Sequence, residues 1–162
     1  MGAEGRERLR AERSVWISRD AASVFGFVTD LPRTPTWRTS VKHVEMLDAE
    51  PLDLGVRFAA STHVLGKRWS WVMEITDWDP PRRFGYRVVE GRVRIDVAYV
   101  CTPDDGGCRF TMVGSAHRPS GWFGVVVAPF AARVMERDLG AHLAKLKSVL
   151  EGDVASRDDS QP

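Results

Sequence analysis

The sequence predicts an α+β domain in which a curved antiparallel sheet wraps around one long C-terminal helix. Apolar residues recur at steps of three and four between Pro129 and Glu151, which is typical of an amphipathic helix. Between residues 41 and 117 apolar and polar residues alternate instead, which is typical of strands with one buried face. The chain has no second long amphipathic segment, so the sheet is the predicted partner of the helix.

Both ends of the chain are expected to lie outside the packed domain. Residues 1–12 are polar and charged, which predicts a flexible leader, and the polar residues 152–162 predict a disordered tail. A single domain over residues 13–151 is therefore predicted, and this length is sufficient to bury a core.

The first elements of the domain are short. Residues 14–18 alternate in polarity and are predicted to form a strand. Asp20 is a candidate N-cap for a helix over Ala21–Thr29. The passage from Pro32 to Trp37 contains two prolines, which favours a turn or a short second helix over a strand.

About six antiparallel strands follow these helices. The turn residues Asp104 to Gly107 tolerate positive φ, so they predict a hairpin between the last two strands. The alternating segments that predict strands lie near residues 41–47, 57–64, 68–76, 84–88, 93–99 and 109–116.

The face of these strands that is predicted to point inward is apolar and aromatic, with small residues such as Ala60 and Gly114 among the large ones. A sheet around one helix encloses more space than a single stripe of leucines fills, so we expect a hollow lined by this face and by the helix. The alternative is a solid core that closes on itself. The predicted lining residues are Phe58, Trp71, Met73, Tyr86, Ile95, Val97, Tyr99, Phe110, Met112, Phe130 and Val134.

The predicted inner face offers little chemistry beyond binding. It contains no Asp, Glu, Lys, Arg, His or Cys, and its polar groups are mainly the hydroxyls of Tyr86 and Tyr99. His63 falls on the outer face and His142 is predicted to lie on the helix surface. The four histidines show no metal-ligand spacing. We therefore expect no catalytic residue, no metal and no cofactor, and a small hydrophobic molecule as the partner.

Composition excludes several other classes of function. A net charge of +1 gives no electrostatic argument for nucleic acid. The N-terminal residues do not form a signal peptide, and no apolar run approaches the roughly 18 residues of a membrane span, so a cytoplasmic protein is predicted. In a reducing compartment Cys101 and Cys108 are expected to be free thiols.

One apolar segment has no partner in this scheme. Trp122, Phe123 and residues 125–127 are apolar almost all round a helix, and Pro129 is predicted to kink the helix or to start it afresh. The segment could form a lid over the cavity, or it could touch a membrane or a partner transiently through Trp122 and Phe123. Alternatively, the first helix and the loop near Trp37 simply cover it.

Several local motifs stand out in addition to the order of the elements: Asp30-Leu31-Pro32 before Trp37, Gly55 to Phe58, Trp71, Glu74 to Arg83, Gly107, and Leu143 to Glu151. Together they resemble the START-like helix-grip superfamily labelled SRPBCC, which includes polyketide cyclase/dehydrase and lipid-transport domains. The resemblance covers about residues 11–151.

The resemblance implies a seven-stranded antiparallel sheet, two small helices and a ligand cavity beneath the long helix. Because one scaffold serves several activities in this superfamily, it leaves three functions open. The first is binding, transport or sequestration of a hydrophobic or lipid-like molecule. The second is a polyketide cyclase or aromatase. The third is a protein-interaction module like those of the coenzyme-Q chaperones or ribosome-associated toxins.

Overall fold

The protein forms one seven-stranded antiparallel sheet, two small helices after the first strand, and one long helix, as predicted. The computed structural model describes residues 8–117 and 122–158, and the side chains of residues 64, 122–125, 127, 128 and 153–158 lie outside that description. The elements are β1 (Arg8–Ile17), α1 (Ala21–Thr29), a 3₁₀ helix (Leu31–Thr36), β2 (His43–Met46), β3 (Arg57–Val64), β4 (Lys67–Asp79), β5 (Arg83–Glu90), β6 (Ile95–Asp104), β7 (Gly107–His117) and α2 (Trp122–Asp158). The strand order across the sheet is β1-β7-β6-β5-β4-β3-β2.

The two small helices begin and end where local chemistry requires. The Asp20 carboxylate accepts a hydrogen bond from the Ser23 backbone N–H at 3.0 Å, which confirms Asp20 as the N-cap of α1. The two prolines fit the tight 3₁₀ helix that follows, so the short-helix interpretation is confirmed. Trp37 ends this helix and is completely buried.

The pleat of the strands places the predicted apolar face inward. Phe58, Met73, Phe84, Val97 and Met112 are all buried, and each lies in the phase that the alternation predicts. Trp69, which lies near the turn between β3 and β4, departs from this pattern because it is 38% exposed. A shared buried face in successive strands is what allows the sheet to curve around a core.

The predicted ends of the domain need correction. β1 begins at Arg8 rather than near residue 14, because β7 is long enough to pair with it from His117 to Cys108. At the other end α2 continues to Asp158 and so includes most of the predicted tail. It also begins at Trp122, upstream of Pro129, so the proline does not start a new helix. Residues 1–7 and 159–162 lie outside the described residues.

The C-terminal half of α2 is fixed to the sheet through β1. Leu139, Leu143, Leu146 and Leu150 form the buried stripe predicted from the sequence. Lys147 Nζ donates a hydrogen bond to the Trp16 carbonyl oxygen at 2.7 Å, and this contact holds the helix along the edge strand.

Upstream of this stripe α2 is much more open. Val126 is 68% exposed and Phe130 is 72% exposed. The side chains of Trp122 and Phe123, on which the lid and membrane interpretations depend, lie outside the described residues.

Candidate functional site

A cavity of about 560 Å³ lies between the concave face of the sheet and the segment that links the 3₁₀ helix to β2. Its wall is built by β3, β4, β5 and β6, with Leu31 and Thr34 of the 3₁₀ helix on the opposite side. This volume is within the range of small-molecule binding pockets, about 300–1,000 Å³. The solid-core alternative is therefore wrong for this part of the sheet.

Most of the cavity wall is apolar. It is formed by aliphatic and aromatic side chains of the strands, which bind a ligand mainly by removing its apolar surface from water. The apolar lining residues are Leu31, Val41, Val44, Phe58, Ala60, Trp69, Trp71, Met73, Val88, Val93, Ile95 and Val97.

The mouth of the cavity is cationic. Lys67 and Arg68 at the start of β4 and Arg92 in the β5–β6 loop line the cavity, and all three are exposed. The Arg92 guanidinium lies over the Trp69 ring, 4.4 Å from its centroid, in a cation–π contact. The cavity lining contains no Asp or Glu among the described residues.

A fourth cation lies deep inside the cavity. Arg38 NH1 donates hydrogen bonds to the hydroxyl oxygens of Tyr86, at 2.5 Å, and Tyr99, at 3.3 Å. The two hydroxyl oxygens are themselves 3.3 Å apart. Arg38, Tyr86 and Tyr99 therefore form one polar cluster in an otherwise apolar wall, which we call the arginine–tyrosine cluster.

The position of Arg38 follows from the turn that precedes it. Its backbone N–H donates to the Thr34 carbonyl at 2.9 Å, and its own carbonyl accepts from the Val41 N–H at 2.9 Å. The neighbouring Trp37 is anchored in the core by edge contacts with the rings of Tyr99 and Phe110. With Trp37 fixed on one side, the next side chain points into the cavity.

Burial changes the ionisation of this cluster in different directions. Burial raises the pKa of Tyr99 well above its ordinary value, so the phenol keeps its proton at neutral pH. For Arg38 burial by itself lowers the pKa, but the phenol groups of Tyr86 and Tyr99 raise it above its ordinary value. The cluster therefore places the positive charge of Arg38 beside the protonated phenol of Tyr99.

His142 lies nearby, although it does not line the cavity. It is buried in α2, with Nε2 3.4 Å from Ser40 Oγ, so the predicted location on the helix surface is wrong. Burial lowers the pKa of His142 and the charge of Arg38 lowers it further, while Asp138 acts in the opposite direction. The ring is neutral at pH 7 for these reasons.

The structure brings together seven of the eleven residues predicted to bind ligand. Phe110 and Met112 are buried in the core but do not line the cavity. The seven that line it are Phe58, Trp71, Met73, Tyr86, Ile95, Val97 and Tyr99.

The placement of Phe130 and Val134 in the cavity wall is wrong. Phe130 is 72% exposed and Val134 is 45% exposed, and no described residue of α2 lines the cavity. The reason is that α2 packs along β1, whereas the cavity lies under β3 to β6. The cavity is therefore beside the helix rather than between the helix and the sheet.

Sequence reasoning missed Arg38, the only charged residue in the deep part of the described lining. The residue lies between the 3₁₀ helix and β2, in a segment without the regular alternation of polar and apolar residues that predicts which side chains point inward. Its position directly after the anchoring Trp37 is the one local signal that could have drawn attention to it.

The described residues contain no group of three His, Cys, Asp or Glu side chains that could hold a metal ion. Cys101 and Cys108 are free and buried, in agreement with the expectation from composition. No helix among the described residues is long and apolar enough to cross a membrane.

Solved structures with the same architecture belong to proteins of different kinds. TTHA0849 from Thermus thermophilus is 21% identical with a TM-score of 0.71, covering 91% of this chain and 99% of that chain. The Zhui aromatase/cyclase from a Streptomyces species is 19% identical with a TM-score of 0.73, covering 91% and 96%. A START superfamily protein from Mycobacterium smegmatis is 11% identical with a TM-score of 0.70, covering 88% and 97%. At these identities the similarity shows the fold alone.

No functionally curated protein matches the sequence at a significant level. The family described as polyketide cyclase / dehydrase and lipid transport matches residues 8–151, which include the whole sheet and most of α2. The chain therefore belongs to the polyketide cyclase/dehydrase and lipid transport family.

Proposed function

We propose that the protein binds a small hydrophobic or lipid-like molecule in the cavity under β3 to β6, and so serves in its transport or sequestration. The observation that carries this proposal is a cavity of about 560 Å³ whose wall is apolar except for one deep cluster and a cationic mouth. A protein that only needed a stable core would gain by filling this space with apolar side chains, since each buried methylene contributes about 0.8 kcal/mol. The family match and the START-like neighbour are consistent with this function.

A fluorescence titration with the neutral probe N-phenyl-1-naphthylamine tests this proposal. We expect saturable binding at one site per chain, with an emission shift that reports an apolar environment. Phe130→Ser is the matched control, because Phe130 is apolar and exposed outside the cavity, and it should bind the probe like the wild type. Lack of saturable binding by the wild type, or loss of probe binding in Phe130→Ser, would refute the cavity as the binding site.

A cyclase or aromatase is the second candidate, and the arginine–tyrosine cluster is the observation that favours it. Arg38 and the two phenols are hydrogen-bond donors that could stabilise negative charge developing on a substrate carbonyl oxygen. Against it, the described lining contains no Asp, Glu or His to serve as a general base for proton removal.

We therefore expect the purified protein to show no cyclase turnover with polyketide model substrates. Product analysis by mass spectrometry is the measurement. Turnover that is abolished in both Tyr86→Phe and Tyr99→Phe, with each variant still folded, would replace the binding proposal by the enzymatic one.

Contact with a membrane during ligand exchange remains a proposal for the start of α2. The support is the sequence of Trp122 and Phe123 together with the exposed Val126 further along the helix. Co-sedimentation with phosphatidylcholine vesicles should be weaker for a Trp122→Ser/Phe123→Ser variant than for the wild type. Absence of vesicle binding in both proteins would exclude the proposed membrane contact.

The cytoplasm remains the proposed compartment, supported by two free thiols.

A further inference from the structure

Arg38 is a half-buried cation that lines the cavity and has no anionic partner among the described residues. The Arg38 Nε is inaccessible to solvent and has no hydrogen-bond partner among the described residues. Its NH1 meets only the two tyrosine hydroxyls, and no salt bridge in the described part of the chain includes it. Arginines at the surface differ from Arg38 in this respect. Arg57, for example, pairs with Asp48, and Arg87 pairs with Asp96.

Keeping such a group inside the protein is unfavourable unless something compensates for it. Moving a charge out of water is unfavourable even after relaxation of the protein. The hydroxyls of Tyr86 and Tyr99 accept hydrogen bonds from NH1, but neither residue is a carboxylate, and Nε has no acceptor among the described residues. Because Arg38 lines the cavity, an occupant of that cavity can reach it.

The other charged residues that line the cavity are also positive, which favours a negatively charged ligand. Lys67, Arg68 and Arg92 add three cations at the mouth, while the described lining contains no carboxylate. The whole chain has a net charge of only +1, so this concentration of positive charge is local to the cavity. A cleft lined by one sign of charge attracts ligands of the opposite sign and raises their rate of association.

The path from the mouth to Arg38 has an apolar wall. Tyr86 lies five residues before Gly91 along the chain, which at about 3.3 Å per residue is a distance of roughly 16 Å. Met73, Val88 and Val97 line the space around this path. A ligand that reached Arg38 would therefore place an extended apolar body against these side chains.

We propose that the ligand is an amphipathic acid whose carboxylate pairs with the Arg38 guanidinium at the inner end of the cavity and whose apolar body extends towards the mouth. The carboxylate would accept hydrogen bonds from the part of the Arg38 guanidinium that lines the cavity and from a hydroxyl of the Tyr86–Tyr99 pair. This inference rests on the proposed binding function and adds the chemical class of the ligand.

Matched probes that differ only in charge test the inference. The fluorescent cis-parinaric acid and its methyl ester form an aliphatic pair, and 2-naphthoic acid and its methyl ester form an aromatic pair that competes with N-phenyl-1-naphthylamine. For at least one pair we expect the acid to bind the wild type about tenfold or more tightly than the ester. The pair that shows the larger preference distinguishes a fatty acid from an aromatic acid.

Variants then locate the source of the preference. Arg38→Met should bind acid and ester equally, with ester affinity close to that of the wild type, while Arg38→Lys should keep part of the preference because it keeps the charge. Arg82→Met is the matched control: Arg82 is exposed, pairs with Asp79 and does not line the cavity, so its acid preference should equal that of the wild type.

Salt dependence gives a second readout that needs no variant. A preference produced by Arg38 inside the cavity should persist at high ionic strength, whereas one produced by the exposed mouth cations should decline strongly. Equal binding of acid and ester by the wild type, or a preference that survives in Arg38→Met or vanishes with salt, would overturn the inference while leaving the cavity as a binding site. Failure of the esters and the neutral probe to bind would instead refute the proposed function, and the inference with it.

Discussion

At the scale of single residues, Arg38 is the side chain on which the proposed ligand recognition depends. Its guanidinium is held by two phenols from adjacent strands, and its Nε has no acceptor among the described residues. A side chain that is unfavourable for folding and faces a binding cavity is more readily explained by recognition than by stability.

Replacing Arg38 should therefore stabilise the empty protein. In Arg38→Met the half-buried charge is removed, the volume is nearly kept, and the Tyr86 and Tyr99 hydroxyls can still bond to each other. We expect a gain of about 1 kcal/mol or more in the free energy of unfolding, which corresponds to a rise in Tm of about 2–4 °C. Thermal denaturation without ligand measures it. A lower Tm than the wild type, with Arg82→Met unchanged, would show that Arg38 is a structural residue.

His142 should make stability depend on pH. Its folded-state pKa lies below the ordinary value because of burial and the nearby Arg38 charge, so between the two pKa values the unfolded chain binds more protons. The stability contributed by the neutral ring is present above the unfolded pKa of about 6.5 and is lost as the pH falls towards the folded pKa.

The test of this prediction is a comparison of wild type and His142→Gln by denaturant unfolding between about pH 7.5 and about pH 5. The wild type should lose more stability on acidification than the variant, because the variant lacks the titrating group. Parallel pH profiles for the two proteins would contradict the prediction. His63, which is exposed, provides the control substitution His63→Gln.

At the scale of elements, close packing between the edge strand β1 and the β6–β7 hairpin depends on a glycine at the start of β7. Gly107 lies opposite the end of β1, and a Cβ atom built there would be 2.5 Å from the Ile17 carbonyl oxygen and 2.6 Å from Trp16 Cζ2. The first of these atoms is backbone and cannot move without shifting the strand. Glycine is therefore required at this position by close packing rather than by its dihedral angles.

Gly107→Ala should destabilise the protein by about 1–3 kcal/mol, the usual range for overpacking a rigid site. Gly140→Ala in α2 is the control, because a Cβ there meets nothing within 4 Å and alanine favours a helix by up to about 1 kcal/mol. Urea unfolding of both variants measures the difference. Equal stability of the two variants would mean that β1 moves freely away from the hairpin.

The strands show how far local pattern carries a prediction. Met73, Tyr86 and Val97 were assigned to the inner face from alternation alone, and all three are buried and line the cavity. Alternation works because a pleated strand fixes the direction of each side chain relative to its neighbours. Alternation gives no information about Arg38, since the segment between the 3₁₀ helix and β2 is neither a strand nor a helix and has no repeating pattern of polarity.

The helix illustrates a different limit. The heptad-like spacing predicted the buried stripe of Leu139, Leu143, Leu146 and Leu150 correctly. It could not show which strands that stripe would meet, and α2 packs along β1 instead of covering the cavity. Phe130 was placed in the wall for that reason and is exposed.

For the whole molecule, the cavity exists because the sheet is wider than the surface that α2 covers. A small side chain on the inner face of the sheet leaves cavity volume only where no side chain of α2 occupies the same position. Ala60 lines the cavity, whereas a Cβ built at Gly114 would lie 3.6 Å from Met135 Cε, so that position is filled by the helix.

Filling the cavity should therefore exchange ligand affinity for stability. Ala60→Leu adds three carbon atoms to the wall and should weaken binding of N-phenyl-1-naphthylamine about tenfold. It should also raise the free energy of unfolding by up to about 2 kcal/mol, since each buried methylene contributes about 0.8 kcal/mol. Fluorescence titration and thermal denaturation of the same preparation measure both effects. Unchanged affinity would show that the probe binds elsewhere.

The sequence by itself determined the order of elements, the buried face of each strand and of α2, and the cap that begins α1, because these depend on local periods and local hydrogen bonds. Only the tertiary structure decided that α2 lies along β1, that the cavity opens beside it, and that Arg38 points inward to meet Tyr86 and Tyr99. The physical reason is that these features depend on contacts between residues up to 131 positions apart, which no local pattern of polarity encodes.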